Sequence, residues 1–185
     1  ESKKQVASLT QKAEKDIVDK YKKLYEGFNE GEAGQSTVKD PVKIDSLKKE
    51  YGLTENDFST DSKKLINKLV GKTVQEPSGN IISSKTGQPI NQANISLQQA
   101  KAPKVADYIN LWKQLRAEVA EYRHSGKMAQ TPEAKRAFRD KANQLEKLSD
   151  DINSKAMGSL SKNQQKEYST IQKGYMNERV PFLEK

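Results

Sequence analysis

The chain has 185 residues, 33% of them apolar and only 6% aromatic, and its 33 basic against 25 acidic side chains leave a net charge of +8. A core of that composition is thin, as in elongated helical bundles, and suits a compact enzyme poorly. No apolar run approaches the roughly 18 residues that span a bilayer, no signal-peptide core is present, and the absence of cysteine excludes disulfides, thiolate metal sites and cysteine nucleophiles.

A charged fraction of 31% with a mean hydropathy of −0.96 would permit disorder, but the apolar residues recur at helical spacing and predict a folded chain. Lack of cysteine fits a bacterial extracytoplasmic protein better than a cytosolic enzyme. The chain opens at Glu1 without an initiator Met, as a mature secreted chain, a lipoprotein trimmed after its anchor cysteine, or a cloned fragment would.

In chain order, Val6, Leu9, Ala13, Ile17, Tyr21, Leu24 and Phe28 step by threes and fours and predict one amphipathic helix. Gly27, Gly31 and Gly34, with Asn29, predict its end and a loop running to Asp40-Pro41. Ile44, Leu47 and Tyr51 mark a short helix stopping at Gly52. The next has Ser59, Thr60 or Asp61 as N-cap, Leu65, Ile66, Leu69 and Val70 as apolar stripe, and Gly71 after its end. Residues 1–72 thus read as an N-terminal helical region.

Residues 73–103 differ, with three prolines, little charge and much Ser, Asn and Gln, and read as a hairpin or linker. From 104 to 185 the helical pattern returns. Val105, Ile109, Trp112, Leu115 or Arg116, Val119 and Tyr122 form a stripe up to a break at Gly126. Thr131, Pro132 and Glu133 then supply three agreeing start signals for a helix through Phe138, Leu145, Leu148 and Ile152 to Gly158. Ser161 and Gln164 form a capping box ahead of Tyr168, Ile171 and Tyr175, with an expected end at Val180-Pro181. The expected fold is mainly α: elongated helical bundles, with a small β-hairpin between the N-terminal helices and a C-terminal three-helix bundle.

The hairpin expectation rests on "GNIISSKTGQPINQANISL", Gly79 to Leu97. Ile81 and Ile82 precede a turn at Lys85-Thr86-Gly87, and Ile95 and Leu97 alternate after it. In the order Gly79, Ile81, Thr86, Gly87, Pro89, Ile90, Ala93, Ile95 and Leu97, the segment resembles the opening strands of the carboxypeptidase regulatory-like, transthyretin-like β-sandwich modules. The resemblance covers nineteen residues and implies a non-catalytic, extracytoplasmic element; apart from it, the segment reads either as a local hairpin or ordered linker or as an exposed edge, at Ile82 and Ile95, that pairs with a partner by strand addition.

Candidate chemistry is sparse. His124 is the lone histidine and reads as a helix C-terminal residue favoured by the dipole. Asp150 and Asp151 are adjacent and splay on a helix, and no Walker A, GxGxxG, GxSxG or HExxH pattern occurs. The expectation is no enzyme, no catalytic residues, no cofactor and no metal.

The basic bias sits in the second half: residues 1–72 carry 15 basic and 13 acidic side chains, net +2, whereas 104–185 carry 16 and 11, net +5, including all five arginines. Lys135, Arg136, Arg139 and Lys147 share much of one helix face, a candidate docking surface for an acidic partner protein. Asp140, Glu146, Asp150 and Asp151 on the same helix dilute any phosphate track and disfavour nucleic acid. The leading expectation is a non-enzymatic structural, assembly or protein-binding component of a bacterial cell envelope or appendage, periplasmic or surface-exposed, with helices of coiled-coil type. The alternative is a nucleic-acid or phage-related binding module using the basic C-terminal bundle.

Overall fold

The computed structural model describes residues 2–70 and 102–183, and every regular element among them is helical. The order is α1 (Ser2–Glu30), α2 (Glu32–Gln35), α3 (Ile44–Glu50), a 3-10 turn (Glu55–Asp57), α4 (Thr60–Val70), α5 (Val105–Met128), α6 (Pro132–Gly158), α7 (Lys162–Gly174), a π turn (Tyr175–Arg179) and α8 (Val180–Leu183).

The mainly α fold expected from periodicity is therefore found, and the helices start where capping chemistry places them. Thr131 Oγ1 accepts from Ala134 N–H at 3.1 Å, with Pro132 at the first helical position of α6. The Ser161–Gln164 box closes in both directions, at 3.0 and 3.2 Å. Of the three candidate caps for α4, Ser59 is the one used: its Oγ accepts from Ser62 N–H at 3.2 Å. Helix α3 ends at Gly52, φ +70, where Gly52 N–H reaches Lys49 O and Leu53 N–H reaches Lys48 O, at 3.2 and 2.8 Å. That left-handed C-cap needs a residue without Cβ crowding.

α5 and α6 form a long antiparallel hairpin, and the continuous α7–α8 helix closes the bundle together with α1. Trp112 is 2% exposed, and Val105, Ile109, Leu111, Leu115, Leu145, Leu148, Ile152 and Tyr168 are fully buried. Of the expected bundle stripe residues, Tyr122 and Phe138 are only half-buried. Residues before and after 73–103 share one core, for Tyr21, Tyr25 and Phe28 of α1 join it. Tyr175 is its hub, with ring centroids 5.9 Å from Tyr21, 5.6 Å from Tyr25 and 5.9 Å from Trp112. Burying each such ring contributes on the order of 2–3 kcal/mol.

Four features differ from expectation. Helix α1 runs through Gly27 to Glu30, because Phe28 stacks on Tyr168 at 5.4 Å and packing outweighs the glycine penalty of about 1 kcal/mol. The chain turns at Gly31, and α2 follows instead of open loop; a Cβ at Gly34 would collide with the Asn29 carbonyl. Helix α5 passes Gly126 and ends at Met128. The last helix continues past Pro181, since the chain widens just before it: Val180 N–H donates to Tyr175 O, a π-type bond.

The β-hairpin insertion is a correction. No strand occurs among the described residues; the β-type contact found there is an isolated bridge between Thr37 and Lys104, with Val38 N–H on Pro103 O and Val105 N–H on Ser36 O, both at 2.8 Å. Two strands need a sheet or a packed face to be stable in water, and the described residues offer no sheet to receive them. The segment 79–97, with Ile82 and Ile95, lies outside the described residues.

Candidate docking surfaces

Two surfaces stand out, and the first is the upper half of α1. This helix runs antiparallel to α7–α8: Phe28 meets Tyr168, Tyr21 meets Tyr175, Lys20 pairs with Glu178 at 3.1 Å and Glu14 with Arg179 at 3.2 Å. Above Glu14 no such pairing occurs among the described residues. Every side chain from Lys3 to Ala13 is exposed, and Val6 and Leu9 are 62% and 67% exposed. Yet Val6, Leu9 and Ala13 continue the stripe that buries Ile17 partly and Tyr21 fully. Twelve helical residues, 2–13, project about 18 Å at 1.5 Å per residue.

The second surface is a cleft of about 320 Å3 at the α5–α6 turn, lined by Arg123, Gly126, Lys127, Lys135 and Arg139. Gly126 lets the two helices close together, since a Cβ there would stand 3.4 Å from Phe138 Cβ. Lys135 and Arg139, one turn apart on α6, face Arg123 and Lys127 of α5 across it. Arg123 is held from behind by Glu146, which also takes Arg116 at 3.3 Å. Lys127, Lys135 and Arg139 are exposed and have no ion-pair partner among the described residues. Of the docking residues expected from sequence, Lys135 and Arg139 are thus brought together, while Arg136 and Lys147, also exposed, do not line the cleft.

Several other polar groups are tied into the fold. Glu118 is 3% exposed; its Oε1 accepts from Ser59 N–H at 2.6 Å and its Oε2 from Ser62 Oγ at 2.8 Å. The carboxylate so answers the positive N-terminus of α4. Beside it, Lys141 reaches Asp57 at 3.0 Å. Burial acts to raise the Asp57 carboxyl, but bonds from Thr54 N–H and from Lys141 outweigh it and hold the group below its ordinary value. Asp150 and Asp151 splay: Arg116 lies 3.8 Å from Asp150, whose carboxyl burial pushes up, and Asp151 accepts from the Tyr51 hydroxyl. That bond, then burial, pushes Tyr51 up to about 12. His124 is half-buried in the last turns of α5.

Sequence reasoning missed Glu118, whose only signal is a carboxylate one residue before Val119 in an apolar stripe. It also missed Arg123 and Lys127 as companions of the α6 cations, because their meeting depends on the hairpin turn.

Among the described residues no group of three or more His, Cys, Asp or Glu side chains is placed to hold a metal ion, and no helix is long and apolar enough to cross a membrane. The class defined so far is an α-helical bundle with an extended helical arm. Searches of known protein families, of characterised proteins and of solved structures give no match to this chain. The resemblance of Gly79–Leu97 to carboxypeptidase regulatory-like and transthyretin-like modules is accordingly withdrawn: no family match covers it and no strand accompanies it among the described residues. Its physical basis was turn punctuation, and Thr86, Gly87 and Pro89 suit many turns equally well.

Proposed function

We propose that this chain is a non-enzymatic assembly component that binds a helix of a partner protein along the upper half of α1, outside the bacterial cytoplasm, as part of a cell-envelope or appendage structure. The observation that carries the reading is the uncovered stripe Val6, Leu9 and Ala13, continuous with a stripe that α7–α8 already covers lower on the same helix. The same face that accepts one antiparallel helix below Glu14 can accept a second above it. The partner is therefore helical, with apolar residues at three- and four-residue spacing. A chain without cysteine can form no unwanted disulfide outside the cytoplasm, which fits the proposed compartment. Nucleic acid is the weaker reading, because Glu133, Asp140 and Glu146 interrupt the basic face of α6.

The test is affinity capture from the native source with the wild-type chain and with Val6→Lys/Leu9→Lys, both folded by circular dichroism. One captured protein should vanish with the double variant and crosslink to a photoreactive residue at position 9. Identical capture by both chains would defeat the reading. So would concentration-dependent self-association through the stripe, seen by sedimentation.

A further inference from the structure

We infer that the cleft at the α5–α6 turn is a second, separate recognition site, and that it takes a short acidic segment of a partner protein, one or two carboxylates flanked by an apolar residue. The inference deepens the protein-binding reading and is independent of the α1 arm.

The cleft has four cations in its lining and no carboxylate. Arg123 is oriented by Glu146, so one guanidinium is already fixed in place. Lys127, Lys135 and Arg139 carry charge that nothing among the described residues neutralises, and a bound anion would relieve their mutual repulsion. Most of the wall is apolar surface, supplied by the methylene stems of these long side chains around Gly126. That combination fits a carboxylate with an apolar neighbour better than a bare inorganic anion.

Size and surroundings choose between a peptide and a nucleic acid. At about 320 Å3 the cleft is ligand-sized and confined to one helical turn. A duplex needs a track of cations spanning several phosphates. Here Glu121 on α5 and Glu133 and Asp140 on α6 lie beside the lining residues in the chain and end any such track. Arg136, exposed but off the cleft, supplies an internal control.

The full chain is titrated, by fluorescence anisotropy, into a labelled nine-residue peptide of three Glu-Glu-Leu repeats, the same peptide with Gln for Glu, and a labelled DNA duplex of about 20 base pairs. The Glu peptide should saturate, and the Gln peptide should bind at least about fivefold more weakly. Lys135→Glu/Arg139→Glu should lose roughly tenfold, and Arg136→Glu should stay within about twofold. Lys135, Arg136 and Arg139 are all exposed, so the variants should melt with the wild type. The logarithmic salt slope should lie near −1 to −2, as for a few charges. Equal binding of Glu and Gln peptides, no saturation at millimolar peptide, or tighter binding of the duplex with a slope steeper than about −4 would each overturn the inference. None of these outcomes bears on Val6 and Leu9, so failure here and failure of the α1 reading are separable.

Discussion

The lower and upper halves of α1 share one amphipathic pattern but meet opposite fates. From Ile17 to Phe28 the aromatic side chains are covered, with Tyr21, Tyr25 and Phe28 at 5% exposure or less, while Leu24 of the same stripe is 40% exposed. From Lys3 to Ala13 the same spacing is bare. Periodicity therefore reports that a face is built to be covered, and says nothing about whether the cover belongs to the same chain. In the lower half the aromatic side chains and the antiparallel α7–α8 settle the matter within the fold. In the upper half the small stripe of Val6, Leu9 and Ala13 adds little to intramolecular stability.

Substitutions can break or sharpen this contrast. Tyr168→Ala, beneath Phe28 at 0% exposure, should cost about 3–5 kcal/mol in denaturant unfolding; a loss below about 1 kcal/mol would mean that the lower half is not part of the core. Glu118→Ala should cost roughly 2–3 kcal/mol, since Ser62 and the start of α4 lose a buried acceptor. Glu118→Gln, retaining one oxygen, should cost less, and an unchanged midpoint for both would remove the capping role.

Acid titration supplies a smaller effect. Asp57 has its folded value held below the ordinary 3.8, so its contribution is fully present above that value and is lost as pH falls through the lower folded value. Asp57→Asn should flatten the loss of stability as pH falls below the ordinary 3.8. A wild-type slope in the variant would contradict the Thr54 and Lys141 contacts. Smallest of all, Leu9→Ala should move stability by no more than about 0.5 kcal/mol. A loss resembling that of Tyr168→Ala would show that the upper stripe is covered within the chain.

Much of the fold was legible because local chemistry and burial agree. Thr131-Pro132, Ser161-Gln164 and Gly52 act at the helix ends where their types predict, and the Trp112 stripe is the core. What sequence could not supply was tertiary. Gly27 and Gly126 read as breaks, yet packing on Tyr168 and Phe138 carries the helices through them. The joining of α1 to the C-terminal helices in one core depends on contacts about 150 residues apart along the chain, such as Lys20 with Glu178. The basic cleft was half legible: Lys135 and Arg139 sit one turn apart in sequence, but Arg123 and Lys127 join them only across the hairpin. The Gly79–Leu97 resemblance misled because turn residues recur in unrelated chains.

Hydrogen exchange along α1, in the isolated chain and in the assembly recovered from its native source, tests the central claim most directly. The account predicts slow amides from Ile17 to Phe28 in both states, with fast exchange from Lys3 to Ala13 in the isolated chain that becomes slow in the assembly. Fast exchange over Lys3 to Ala13 in both states, or slow exchange there in the isolated chain, would contradict it.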